Sequence, residues 1–172
     1  MIQRLQRLIT HRWREAGLQR TFTPARLHAL TQQVATSEHQ HSGEIRIVIE
    51  AGLPLSYLLK NQPLRALVRA RALSLFGKLR VWDTAQNNGV LIYLLLAERA
   101  IEIVADRGLN EQVTPAVWQA LVARMRESFR QGEFEAGLAQ AVGHVSDLLQ
   151  THFALQPGAA NANELPNEPH LL

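Results

Sequence analysis

The chain contains no cysteine. Disulfides, thiolate nucleophiles and Cys-ligated zinc are therefore excluded. Aromatic residues make up only 6% of its 172 residues, and the cluster from Arg65 to Arg80 holds a single one, Phe76. That pattern disfavours nucleic acid as a partner. Long apolar runs are also missing. The longest, Val90 to Ala97, is far short of the roughly 18 residues a membrane-spanning helix needs. The first residues, MIQRLQRLITHRWREAG, are broken by arginine and lack the apolar centre of a secretory signal. The expected location is cytoplasmic, with peripheral contact at the inner membrane.

Charge of one sign is missing from two stretches. Residues 60–80 hold Lys60, Arg65, Arg69, Arg71, Lys78 and Arg80 and no acid, a net of +6. From Gly132 onward there are five acids and no lysine or arginine. Residues 1–26 add a net of +5, although the whole chain is only +3. The surface is thus expected to be dipolar, with Arg65, Arg69, Arg71, Lys78 and Arg80 as a basic patch. An anionic membrane surface or an acidic protein would meet such a patch; so would plain solvent.

With 47% hydrophobic residues, the chain can still build one buried core. Leu5, Leu8, Ile9 and Trp13 form an apolar stripe on a basic helix over residues 1–20, stopped at Gly17. Thr23-Pro24 caps a second helix that runs to about Glu38. Glu44 to Glu50 alternates, with Ile45, Ile47 and Ile49 on one side of a strand. A helix follows from Leu55 to Phe76, broken at Pro63. Leu79 to Thr84 reads as a short strand or an extended lead-in. Asn87-Asn88-Gly89 is a turn. Val90 to Leu96 is a central strand, joined by a tight turn to an antiparallel partner, Ala100 to Ala105. Two helices end the pattern. One follows Thr114-Pro115 to about Arg130, with Val117, Leu121, Met125 and Phe129 inward; the other runs from Phe134 to about His152. Residues 156–172 show no periodicity and read as a disordered tail. The core domain is thus 21–155.

Several of these segments together resemble the TPM domain family, named for a thylakoid-lumen phosphatase-like protein, a photosystem II repair protein and a receptor modulator. They are Asn88-Gly89-Val90-Leu91-Ile92, Ala100-Ile101-Glu102-Ile103-Val104, Asp106-Arg107-Gly108-Leu109 and Phe129-Arg130-Gln131-Gly132-Glu133-Phe134-Glu135-Ala136-Gly137-Leu138. His41-Ser42-Gly43-Glu44-Ile45-Arg46 is similar to the family's bacterial soluble branch. The likeness spans roughly residues 23–150. It implies a three-layer α/β sandwich, a mixed four-stranded sheet with helices on both faces. It also implies divalent cation binding in some relatives and weak phosphatase activity in one.

The residues themselves suggest where chemistry could gather. The start of one antiparallel strand lies beside the end of the other, so Asn87 and Asn88 should neighbour Asp106, with Glu44 close by. Their oxygens suit calcium or magnesium. Asp83 and His41 would border such a site. Asn87 stands where many relatives carry Asp, which lowers the ligand charge. The same residues are ordinary turn formers. His39 and His41, flanked by Glu38 and Glu44, are a second candidate for metal binding or proton transfer. No HExxH, P-loop, GxGxxG, GxSxG or DxD pattern occurs. A hydrolase would therefore depend on metal-activated water. The leading expectation is an accessory module that contacts a membrane-linked protein partner; the alternative is a weak metal-dependent phosphatase.

Overall fold

The structure, a computed structural model, describes residues 15–156, 158 and 161–172. The stripe of Leu5, Leu8, Ile9 and Trp13 lies outside the described residues. Helix α1 spans Glu15–Thr21 and runs through Gly17 rather than stopping there. Leu18 and Phe22 at its end are buried in the main core, so the domain begins before residue 21. Helix α2 spans Pro24–Ser37, with the Thr23 hydroxyl accepting from the Arg26 N–H.

Strand β1 covers Ile45–Glu50 and is buried along its whole length. Proline breaks the next helical stretch as expected, into α3 (Leu55–Leu58) and α4 (Leu64–Lys78). Strands β2 (Val90–Leu95) and β3 (Ala100–Ala105) form an antiparallel hairpin through a 3₁₀ turn, closed by Arg99 in a left-handed conformation. A short helix α5 (Arg107–Asn110) follows, then α6 (Pro115–Arg130) and α7 (Phe134–Phe153).

The sheet order is β3-β2-β1-β4, with β1 parallel to β2. The fourth strand is not Leu79 to Thr84. That segment is a series of turns in which Arg80 has positive φ. It is instead β4, His170–Leu171, paired parallel to Val48 and Ile49.

Residues 161–172 of the expected disordered tail are therefore a docked segment. Leu165 is buried, and Leu172 exchanges backbone bonds with Ile49 and Ala51. The Arg46 guanidinium donates to the carbonyls of Pro166 (2.6 Å) and Glu168 (2.5 Å). These bonds use the main chain, which composition does not reveal.

Ile45, Ile47 and Ile49 face a core closed by α1, α2, α6 and α7; Val48, Leu91 and Tyr93 face a second core under α3 and α4. The result is a three-layer α/β sandwich around an open mixed sheet. One inward assignment fails. Val117 is 42% exposed, and α6 is buried through Leu121, Met125 and Phe129 alone.

Candidate functional site

The loop before β2 and the turn after β3 do converge. The Asp106 N–H donates to the Gly89 carbonyl (2.9 Å), and the Gly108 N–H to the Asn87 carbonyl (2.9 Å). The approach demands glycine: a Cβ on Gly89 would lie 1.9 Å from the Val81 carbonyl oxygen. Asn87 itself has φ 53°, which its short polar side chain tolerates.

Each predicted ligand has a defined place at this corner. Asn88 is fully buried. Its N–H donates to the Thr84 hydroxyl (3.1 Å), and its side-chain amide to the Ser42 hydroxyl (3.2 Å). The Asn87 side-chain oxygen accepts from the Arg107 guanidinium (2.9 Å). Asp106 caps α5, with Oδ1 accepting from the Arg107 N–H (2.7 Å). Its Oδ2 is buried and has no hydrogen-bond partner. Asp83 is exposed and paired with Arg80.

Glu44 starts β1, and its carbonyl accepts from the Val90 N–H (2.8 Å). Its carboxylate is buried and accepts from the N–H groups of Glu164 (3.2 Å) and Leu165 (3.1 Å). Burial raises its pKa, with those two bonds opposing. Glu38 lies nearby and accepts from the Ile45 N–H (3.1 Å). Burial, and then repulsion from Glu44, push its carboxyl up to about 8 against the opposing pull of that N–H.

His41 faces a different neighbour. Its Nδ1–H donates to the Gly43 carbonyl (3.0 Å), so Nε2 accepts from the Ser146 hydroxyl of α7 (3.2 Å). Burial lowers its pKa and favours the neutral ring. His39, by contrast, is exposed. Among the described residues, no three His, Asp or Glu side chains are arranged to hold a metal ion. Asp106 Oδ2 is the orphaned oxygen at the corner, and the Arg107 cation on Asn87 works against a divalent ion there.

The basic patch does not form one surface. Arg65 and Arg69 share a face of α4, one turn apart, whereas Arg71 lies on another. Arg71 is buried, with its guanidinium donating to Glu50 at 2.6–3.1 Å. The Tyr93 hydroxyl completes the group, donating to Glu50 at 2.6 Å. Lys78 is exposed, and Arg80 is occupied by Asp83.

Arg65 and Arg69 instead enter a cleft of about 680 Å³ between α4, α6 and β3, whose other walls include Trp118, Val122 and Arg126. Sequence reasoning missed this cleft because α4 and α6 lie some fifty residues apart. The i, i+4 spacing of Arg65 and Arg69 was the signal the sequence carried.

An open mixed sheet between two helical layers, with its polar loops gathered at one end, defines an α/β sandwich domain. The chain belongs to the TPM domain family, whose pattern matches residues 18–148. It is similar to the BA42 protein from the psychrophilic bacterium Bizionia argentinensis, at 27% identity and a TM-score of 0.71. That likeness covers 87% of this chain and 94% of the other. An N-terminal domain of a protein from P. gingivalis shares the fold at 21% identity and a TM-score of 0.53, covering 78% of this chain and 82% of that one. No curated protein matches the chain.

Proposed function

We propose that the protein is an accessory module that acts by contacting a protein partner, with its basic N-terminal segment directed to an anionic membrane surface. The observation that carries this reading is the commitment of the corner residues. Glu44, Asn88 and His41 spend their polar atoms on bonds within the fold. A general acid, base or metal ligand needs an atom free for substrate or ion. Among the described residues, no helix is long and apolar enough to cross a membrane.

One observation favours the alternative, a weak phosphatase using calcium or magnesium. Asp106 Oδ2 is buried and unsatisfied, and a cation would satisfy it. The test is phosphate release from an aryl phosphate, with and without each metal, from acid to alkaline pH. The module reading expects none above a heat-treated control. Metal-dependent turnover that Asp106→Ala abolishes would overturn it.

A further inference from the structure

The cleft against β3 differs from the corner in every respect that matters for binding. Strand β3 is an edge of the sheet, and two of its carbonyls are already taken by side chains. Ile103 accepts from the Arg69 guanidinium (2.8 Å), and Ala105 from the Asn110 amide (2.6 Å). A foreign strand that paired with Ile103 and Ala105 would have to displace these bonds; such caps are how edges are protected. A ligand at this edge must be read by side chains.

The side chains are ready to do so. Arg69 is paired with Glu102 (3.0 Å). Arg65 and Arg126, which face each other from α4 and α6, have no ion pair or hydrogen bond among the described residues. The Trp118 indole N–H is buried and has no acceptor. Buried indole donors ordinarily have one. A second cavity of about 530 Å³ shares Arg65, Glu102 and Arg126 as walls and adds Arg99 and Arg130. Together the two run along α6 from Pro115 to Arg130. At about 1.5 Å per residue that is a groove of roughly 22 Å. Five arginines and two glutamates line it, a net of +3, over an apolar floor that includes Val113 and Val122.

We propose that this groove docks an acidic, amphipathic polypeptide segment of a protein partner. Arg65 and Arg126 hold its carboxylates, and Val113, Trp118 and Val122 seat its apolar side chains. The inference rests on the accessory-module reading and gives that reading a surface and a partner chemistry.

The length and shape of the groove select this occupant. A small anion would fill only a fraction of 22 Å, whereas an extended segment of six or seven residues spans it. A bilayer is flat and cannot enter a concave groove between two helices. Nucleic acid would bring phosphates against Glu98 and Glu102 and would find only one part-buried aromatic ring on which to stack.

The experiment pans a random twelve-residue peptide library on phage against the full chain and against Arg65→Glu/Arg126→Glu. Both positions are exposed, so the variant should fold, and its thermal midpoint checks that. Enriched peptides should combine Asp or Glu with Leu, Phe or Trp. Their affinity should fall roughly tenfold or more in the double variant, and fall with salt. The proposal is overturned if nothing is enriched above the empty surface, if enriched peptides lack acids, or if the double variant binds them equally. It is also overturned if an RNA dodecamer or phosphatidylglycerol vesicles bind more tightly through the same two arginines. Metal-dependent phosphate release would sink the module reading whatever the peptides do. Absence of both turnover and peptides would sink the groove alone.

Discussion

Glu50, Arg71 and Tyr93 form a charged group inside the smaller core, with Glu50 only 3% exposed. Burial and the neighbouring Glu50 charge raise the Tyr93 pKa, so its hydroxyl stays a donor. Removing one partner strands the other charge. Arg71→Met should cost about 3–5 kcal/mol in denaturant unfolding, and Tyr93→Phe about 1–2 kcal/mol. Arg71→Met combined with Glu50→Leu should cost less than Arg71→Met alone. A milder single variant would show that water reaches the pair. Glu38 carries a different signature. Its folded carboxyl ionises near 8 rather than at the ordinary 4.5. Its contribution to stability is therefore fully present below about pH 4.5 and is lost as pH rises through about 8. Glu38→Gln keeps an oxygen for the Ile45 N–H. Thermal midpoints across this range should fall less with rising pH in the variant than in the wild type. Glu44 shifts in the same direction, so part of the slope should remain.

The elements differ in how plainly the sequence announces them. Alternation in Ile45–Glu50 and the continuous apolar run at Val90 mark two fully buried strands, and both are where expected. Residues 161–172 gave no such sign. A strand of two residues has no period, and the partners that hold the segment are the Glu44 carboxylate and the Arg46 guanidinium, about 120 residues upstream. The corner site was legible in part. Hairpin geometry places Asn87 beside Asp106, but only the coordinates show the side chains already bonded. Arg71 was misplaced because charge counting ignores helical phase; Arg65 and Arg69 share a face that Arg71 does not. Because the segment docks, deleting residues 157–172 should lower the thermal midpoint by several degrees. Losing the buried Leu165 side chain alone is worth about 2 kcal/mol. A shift under one degree would mean that the docked state contributes nothing in solution.

At the scale of the molecule, charge and fold separate cleanly. The net of +3 conceals a basic first segment and an acidic end from Gly132 onward. Such a dipole orients a protein at a charged surface without setting its fold. Vesicles rich in anionic lipid should bind the full chain at low salt and release it as salt rises. Deleting residues 1–14 should abolish that binding and keep the melting transition; loss of the transition would instead make the stripe of Leu5, Leu8, Ile9 and Trp13 part of the core. If binding survives the deletion, the lipid contact lies elsewhere. The groove along α6 remains available to a protein partner in either case.

The β4 pairing also has a consequence in time. His170 lies 122 residues from Val48, so closing that contact carries the loop entropy of most of the chain. The β2–β3 hairpin closes over a few residues and needs no such search. Sheet assembly should therefore begin at the hairpin, recruit β1, and accept β4 last. What forms last on two paired residues also opens first. In native-state hydrogen exchange, the amides of Leu165 and Leu172 should lose protection well before those of Ile47 and Ile92. Each opening uncovers the Glu44 carboxylate, so the chain spends a fraction of its time as a second species with a bare acid at the sheet edge.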